Sequence, residues 1–424
     1  MHIKNIVIIT YDWPPRNSIG AHRPYSWAKY WSKLGIDVTV LTSEKQSFDA
    51  PLDLNLPDIP NVKVISVNYK SSIKKFEYFF NFTYLRNVSR KIKFFIFKKF
   101  NLDFNVKKNW LIKAKPYAQK LALEADAVIS TFGPEESHLL AYEMKNNNKN
   151  LLWVADYRDF WSNPYVSIKK NFAKKIEIET VGSHADIVTA VSNCLVREIH
   201  LMLDKEVYKV TNGFDLSNTE VQKRLAKKPR LISGPLRIVH TGTIYEQRDS
   251  LPLLNALVSL TKEKDIADYL VTVDFYGERV GLIEKIKKDS KYSRFIRLMG
   301  HINYKQSILE QQNAGVLLIL ENAEANDKGH LTGKIFEYLV SGRPILSIGS
   351  SSESELGKII KETGTGFAIG PNEYDKIAPL IKETTKGRGL YDIYCPKINN
   401  IIKYSRKNQA IEILSHMKKK LNLL

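Results

Sequence analysis

The residues best suited to chemistry lie between positions 331 and 346, where a polar loop leads into a short helix and then a buried strand. Thr332 is a competent N-cap, and Gly333 follows it where the helix begins. The free N–H groups and positive dipole end of a helix N-terminus suit a phosphate. Lys334 adds a cation there, and Glu337 is an acceptor for ribose hydroxyls one turn later. The same residues also fit an amphipathic helix with a surface Lys–Glu pair.

Two glycines follow predicted strands and could bring the backbone close to a phosphate. The strand at 6–9 leads into a loop that ends at Gly20, and the strand at 236–240 leads into a turn with Gly242 and the cation Arg248. The first loop lacks the G-x-G-x-x-G pattern, which disfavours a dinucleotide-binding dehydrogenase. A glycine at a helix N-terminus lets a diphosphate approach closely. Gly20 fits a plain turn equally well.

Polar side chains are also predicted at the carboxyl ends of strands in the first half of the chain. Asp156, Arg158 and Asp159 follow one strand, and His138 lies near the start of the helix after another. Ligands collect at this edge of open α/β sheets, so these residues are candidates for a site. Two acids beside an arginine also fit a structural ion-pair cluster. Both interpretations stay open.

The chain is strongly basic, with a formal net charge of +19 over 424 residues. Such an excess indicates a polyanionic partner: nucleic acid, an anionic membrane or phosphorylated ligands. The sequence has neither zinc-finger spacing nor an RNP signature, which disfavours nucleic acid. It also has no cluster of residues with metal-ligand spacing, so we expect no metal and no cofactor.

Cysteine usage and hydropathy indicate the compartment. The two cysteines, Cys194 and Cys395, lie far apart, as is typical of proteins in a reducing environment. The N-terminus runs directly into a strand without a signal peptide. No apolar run approaches the roughly 20 residues of a membrane span. We therefore predict a cytoplasmic protein.

Residues 70–120 differ in composition from the rest of the chain. They hold 14 Lys and Arg against only Glu77 and Asp103, with Phe and Tyr interleaved. Cations mixed with aromatic residues are typical of helices that lie in a membrane interface and meet anionic lipid. The alternative is two ordinary helices with Phe in the core and Lys in water. We favour membrane binding, because the charge excess is larger than solubility requires.

Short apolar strands alternate with helical patterns along the chain, which predicts parallel sheets. A helix starts at about Arg23, and a polar, basic linker at 216–235 separates two halves. We predict a domain at 1–215, a domain at 236–402, and a C-terminal helix at 403–424 that packs back on the first domain. The predicted strands lie at 6–9, 38–41, 127–131, 152–155, 186–192, 207–210, 236–240, 272–276, 296–298, 314–320 and 345–348.

Five motifs in this order resemble those of the retaining glycosyltransferases of family 4, which have the GT-B fold. The resemblance covers nearly the whole chain. The fold it implies is two Rossmann-like α/β domains that face each other across a deep cleft. The motifs are YDWPPRNSIG at 11–20, DYRDFW at 156–161, NGFD at 212–215, TGTIYEQR at 241–248 and GKIFEYLVSGRP at 333–344.

The resemblance implies roles for individual residues. The first domain would hold the acceptor, and the second would hold a nucleotide sugar through Gly242, Thr332, Gly333 and the ribose-binding Glu337. Arg248 and Lys334 would neutralise the diphosphate leaving group, with Gly20 facing it across the cleft. Asp159 stands near a position where relatives place a polar residue that contacts the sugar.

One position departs from the family pattern. The family often has two glutamates eight residues apart, and the first of these positions is Gly329 here. The position that usually contacts the sugar hydroxyls therefore has no carboxylate here. Glu324 or Asp327 could replace it from the same loop.

The resemblance implies sugar transfer from a nucleotide-diphosphate donor, with retention of anomeric configuration. The acceptor would be a lipid-linked or glycan molecule at the inner membrane face, in bacterial-type surface polysaccharide synthesis. One alternative is a nucleotide-sugar epimerase of the same architecture, although an epimerase needs no membrane. Another is a non-catalytic protein that binds sugar nucleotides.

Overall fold

The computed structural model describes residues 3–69, 106–161, 170–227, 229, 234–244, 249–267, 270–277, 281–321 and 331–422. Several predicted features lie outside these residues: most of the basic segment 70–120, the cation Arg248, and the loop with Gly329, Glu324 and Asp327. They are taken up below only as sequence.

The first half of the chain forms a seven-stranded parallel sheet in the order β3-β2-β1-β4-β5-β6-β7. Its central strands are buried along almost their whole length, because helices cover both faces of the sheet. The strands are β1 (Asn5–Ile9), β2 (Asp37–Ser43), β3 (Val62–Val67), β4 (Ala127–Thr131), β5 (Leu152–Tyr157), β6 (Ile187–Ala190) and β7 (Val207–Lys209).

The second half forms a six-stranded parallel sheet in the order β10-β9-β8-β11-β12-β13. This second sheet confirms the predicted α/β fold with two parallel-sheet domains. Its strands are β8 (Leu236–Thr241), β9 (Val271–Tyr276), β10 (Ile296–Gly300), β11 (Val316–Leu320), β12 (Ile345–Ile348) and β13 (Gly366–Ile369).

Helices cover both faces of each sheet, and α4 continues into a π-helix at Ile178–Gly182. In the described residues the α-helices are α1 (Ile19–Ser32), α2 (Val106–Leu121), α3 (Glu136–Asn147), α4 (Lys170–Glu177), α5 (Asn193–Leu203), α6 (Asn218–Leu225), α7 (Leu251–Lys262), α8 (Gly281–Lys287), α9 (Ser290–Ser293), α10 (Tyr304–Gln312), α11 (Lys334–Leu339), α12 (Glu355–Thr363), α13 (Ile377–Thr385), α14 (Leu390–Ile393), α15 (Ile398–Ile402) and α16 (Arg406–Leu421). In that same part of the chain, no helix has both the length and the apolar character needed to cross a bilayer.

Three local features differ from the sequence-based expectations. α1 begins at Ile19, four residues before the predicted start, and Pro24 lies inside it. β3 was not predicted, because its half-exposed residues lack a continuous apolar run. β13 was not predicted either, because it begins with Gly366 and leaves an apolar run of just Phe367–Ile369.

The predicted linker at 216–235 contains a helix. The side chain of Ser217 accepts a hydrogen bond from the Glu220 backbone N–H, and the Glu220 carboxylate accepts one from the Ser217 backbone N–H, so a capping box starts α6. Val221 and Leu225 are buried in the core of the second domain. Among the described residues of this segment, Val221 and Leu225 are the buried ones and most others are polar or basic, which explains why its composition alone predicted a loop.

The C-terminal helix α16 packs on α1 of the first domain. The indole N–H of Trp31 donates to the carbonyl of Ala410 at 2.9 Å. Ile413, Leu414 and Met417 join the same buried cluster as the strands of the first sheet. The chain therefore ends on the domain in which it began.

Candidate functional site

The short helix α11 follows the loop that the sequence singled out. Ile335 and Phe336 are fully buried in the second domain, which fixes the helix on the sheet. The residue before the first helical position is Gly333, which has no side chain with which to cap the helix. Thr332 and Gly333 therefore stand where the helix begins, as the sequence predicted, and the first helical residue is Lys334.

Lys334 lies directly over the turn that follows β8. Its Nζ donates to Nε2 of His240 at 2.9 Å. A Cβ on Gly242 would lie 2.8 Å from Cε of Lys334, and Gly242 has a φ of +101°. Only glycine meets both demands easily. The structure thus brings together Gly242 and Lys334, which are 92 residues apart in sequence.

Glu337 lies one turn further along α11, on the side of the helix that faces α10. Its carboxylate accepts a hydrogen bond from Nε2 of Gln311 at 3.2 Å. Burial raises the pKa of Glu337, although the Gln311 hydrogen bond and the charges of Arg406 and Lys334 oppose this shift. A carboxylate held in this way is a strong acceptor for a hydroxyl pair.

The N-terminus of α1 meets the N-terminus of α11 across the cleft between the domains. A Cβ on Gly333 would lie 2.9 Å from Cδ1 of Ile19. Gly20 follows Ile19, so the two helix starts converge on one place. Two positive dipole ends facing the same space favour an anion there.

The space beside Gly20 is already used by protein atoms. A Cβ on Gly20 would lie 2.1 Å from Nη1 of Arg158 and 2.2 Å from Oδ2 of Asp12. Arg158 also donates to the carbonyl of Phe132 at 2.8 Å. The glycine therefore admits this Arg158–Asp12 pair, and the pair places a guanidinium beside the start of α1.

Asp156 and Asp159 take different roles although both follow the same strand. Asp156 is fully buried and accepts two hydrogen bonds from Arg23, at 2.7 and 3.0 Å. Burial alone would raise the pKa of Asp156, but the Arg23 ion pair together with hydrogen bonds from Thr189 and Thr131 lowers it. Asp156 is thus part of a structural ion pair. Asp159 is half-buried beyond β5, and its Oδ1 accepts from the Phe160 N–H at 2.8 Å.

His138 is fully buried, so its imidazole does not reach the solvent in the cleft. Its Nδ1 is 2.7 Å from Oγ of Ser130, which also accepts from the indole of Trp153. Burial lowers the pKa of His138 to about 3, so the imidazole is neutral near pH 7. The structure gives it a packing role against Tyr157 rather than contact with solvent.

Sequence reasoning missed four residues of this region. His240 holds Lys334, and Gln311 holds Glu337. The ring of His22 in α1 contacts the ring of Tyr304 in α10 across the cleft in a tilted arrangement, with ring centroids 4.7 Å apart. The only sequence signal for any of them is that His240 ends a strand just before Gly242.

Further contacts join the two domains beside the cleft. His301 lies 3.2 Å from Asp53, and the backbone N–H of Asn193 donates to Glu355 at 2.9 Å. The second contact places a carboxylate of the second domain at the N-terminus of α5. Within the described ranges, no three His, Cys, Asp or Glu side chains are grouped as metal ligands would be.

No family model matches the sequence, and no curated protein matches it. Solved structures do resemble it. The Anabaena protein HepE, in complex with UDP and glucose, has a TM-score of 0.59 at 12% identity and covers 99% of this chain and 100% of its own. TarM of S. aureus, in complex with UDP, has a TM-score of 0.59 at 12% identity, covering 98% of this chain and 100% of its own.

A third similar structure is a putative UDP-N-acetylglucosamine 2-epimerase from Listeria monocytogenes. It has a TM-score of 0.53 at 11% identity and covers 100% of this chain and 98% of its own. Identities this low establish the architecture alone. With two parallel-sheet domains, a cleft between them and likeness along the whole length, the chain has the GT-B fold.

Proposed function

We propose that this protein is a glycosyltransferase that moves a sugar from a nucleotide-diphosphate donor to an acceptor with retention of anomeric configuration. The observation that carries the proposal is the meeting of the α1 and α11 N-termini, with Lys334 and Glu337 on the second-domain side. Solved structures of the same fold that hold UDP support a nucleotide donor.

The second domain would bind the donor. Glu337 accepts hydrogen bonds from the ribose hydroxyls, and its contact with Gln311 fixes the carboxylate for this role. The backbone N–H groups at Thr332 and Gly333 face the diphosphate. The turn at Gly242 lets that phosphate approach the sheet edge closely. The start of α1 at Gly20 meets it from the other side.

Transfer would depend on stabilising the leaving group. When the bond between the sugar and the diphosphate breaks, its electron pair stays on the phosphate oxygen. The fixed charges of Lys334 and Arg248 stabilise the growing anion. Asp159, at the carboxyl end of β5, would contact the sugar from the first domain. This chemistry is carried by the protein's own residues, without a resident cofactor.

The acceptor would be lipid-linked or a glycan, consistent with surface polysaccharide synthesis at the inner face of a membrane. The described part of the basic segment supports this. The outer face of α2 exposes Ile112 and Tyr117 beside Lys108, Lys113 and Lys120. Exposed apolar side chains among cations suit a surface of anionic lipid.

Flotation with vesicles tests the membrane proposal. We expect binding to anionic vesicles, weakened by salt, and little binding to neutral ones. Replacing Lys91, Lys93, Lys98 and Lys99 with Glu should release the protein from the vesicles. Replacing Lys108, Lys113 and Lys120 with Glu, a three-residue variant, should weaken binding in the same way. A charge-matched control replaces the exposed second-domain residues Lys262, Lys285 and Lys288. Equal loss in the control would show a general charge effect and no membrane-binding face.

A product assay with a panel of nucleotide sugars tests the enzymatic proposal. Release of nucleoside diphosphate with the sugar transferred, or lost to water, supports a transferase. Interconversion of the donor sugar without release would show an epimerase, which the Listeria structure keeps as the second candidate. Binding without any turnover would make the protein a non-catalytic sugar-nucleotide binder.

A further inference from the structure

The imidazole of His240 sits between a main-chain carbonyl and the side chain of Lys334. His240 is fully buried near the end of β8. Its Nδ1 lies 3.0 Å from the carbonyl oxygen of Leu318 in the neighbouring strand β11. Its Nε2 lies 2.9 Å from Nζ of Lys334. The ring therefore bridges the sheet to α11.

These two contacts fix which nitrogen carries the proton. A carbonyl oxygen only accepts, so Nδ1 of His240 must donate to Leu318. The neutral ring then presents a lone pair at Nε2, and the ammonium of Lys334 donates to it. Every donor in this series of hydrogen bonds therefore has an acceptor. The Leu318 carbonyl, fixed in the sheet, orients the His240 ring, and the ring orients the Lys334 ammonium.

Lys334 needs such a holder because of its own flexibility. A lysine has a long, freely rotating side chain and a point charge. Here the lysine side chain passes over Gly242, where its Cε lies 2.8 Å from the position that a Cβ would take, and its Nζ contacts His240. The ammonium is thus kept at the sheet edge, next to the start of α11.

We propose that His240 is a positioning residue that fixes the ammonium of Lys334 for contact with the donor diphosphate. This rests on the proposed function, because it needs a diphosphate at that place. His240 itself touches no substrate in this scheme. Its effect passes entirely through Lys334.

A pair of substitutions separates the acceptor atom from the bulk of the ring. His240→Gln keeps an oxygen near the position of Nε2, whereas His240→Met has similar length and no such acceptor. Binding of UDP, GDP and ADP is measured by titration calorimetry, and thermal unfolding is followed for every variant. We expect His240→Met to bind the preferred diphosphate about tenfold more weakly and His240→Gln to stay within about threefold of wild type.

A double-mutant cycle with Lys334→Met shows whether the two residues act together. If His240 acts through Lys334, adding His240→Met to Lys334→Met should weaken binding no further. Additive losses, or equal losses in the Gln and Met variants, would overturn the positioning role. So would a His240→Met protein that binds like wild type.

The two proposals fail in different ways. A folded wild type that binds none of the three diphosphates would overturn the donor site itself and the proposed function with it. A wild type that binds and transfers sugar, with His240→Met unimpaired, would overturn only the role of His240.

Discussion

Two residues that the sequence marks equally as candidates for a site can have unrelated roles once the chain folds. Asp156 and Arg158 follow the same strand two positions apart. Asp156 turns into the core and pairs with Arg23, while Arg158 reaches the start of α1 beside Gly20. Composition and spacing could place both at the sheet edge. Whether such a residue is structural or belongs to a site depends on its partner, and the partner of Asp156 is Arg23, 133 residues away in the sequence.

Glu337→Gln tests the ribose contact. Replacing the carboxylate with an amide removes a charged acceptor from a hydroxyl pair, at a cost of about 1.5–3 kcal/mol. Donor binding, measured by calorimetry, should therefore weaken about tenfold or more. Glu263→Gln, at an exposed glutamate that bonds only Ser259 among the contacts described, serves as the control. Unchanged donor affinity in Glu337→Gln would remove Glu337 from the site.

Glu177 gives the stability a distinctive pH dependence. It is fully buried at the junction of α4 with the π-helix, and neither of its oxygens makes a well-aligned hydrogen bond. Burial raises its pKa to about 8, although the nearby Tyr157 hydroxyl and Lys174 oppose this. Below about pH 4.5 the carboxyl is protonated in both folded and unfolded chains. As the pH rises towards 8, the unfolded chain loses its proton first, so folded stability is lost across this window.

Glu177→Gln should remove that loss. The variant and wild type should be similarly stable near pH 4.5, and the variant should gain on wild type up to pH 8, by on the order of 2–4 kcal/mol. Chemical denaturation across this pH range measures the difference. Glu179→Gln, at a largely exposed glutamate two residues on, is the matched control. Parallel pH curves for wild type and Glu177→Gln would contradict the account.

At the scale of elements, the sequence predicted what continuous apolar patterns can encode. The central strands appeared because they are buried on both faces. β3 was missed because its residues are half-exposed, and β13 was missed because it begins with Gly366 and has an apolar run of just three residues. The start of α1 was placed too late, since Pro24 obscured the helical pattern around it. Glycines and charges of the site were visible, but Gln311 and His240 depend on contacts between distant segments.

The docking of α16 on the first domain should depend on one face of that helix. Ile413 is fully buried, whereas Ile411 on the same helix is 42% exposed. Ile413→Ala should lower the free energy of unfolding by about 2–4 kcal/mol, since it leaves a cavity. Ile411→Ala should cost less than about 1 kcal/mol. Chemical denaturation of both variants measures this, and equal costs would show that α16 does not pack as described.

At the scale of the whole molecule, the two domains meet through contacts on several sides of the cleft. Ile19 lies against Gly333, the ring of His22 contacts that of Tyr304, and His301 faces Asp53. None of these pairs could be read from the sequence, because each joins separate domains. The net charge of +19 favours anionic ligands over the molecule generally. The convergence of the α1 and α11 N-termini indicates where on the molecule an anionic ligand would bind.

Hydrogen–deuterium exchange with and without the preferred nucleoside diphosphate tests this central claim most directly, because the proposed contacts are made by backbone amides. Exchange should slow both at residues 19–23 and at residues 331–337. The helix α13 (Ile377–Thr385), which packs against α7 within the second domain, serves as an internal reference and should not change. Protection at neither helix start, or at one alone, would contradict a diphosphate site built from both domains.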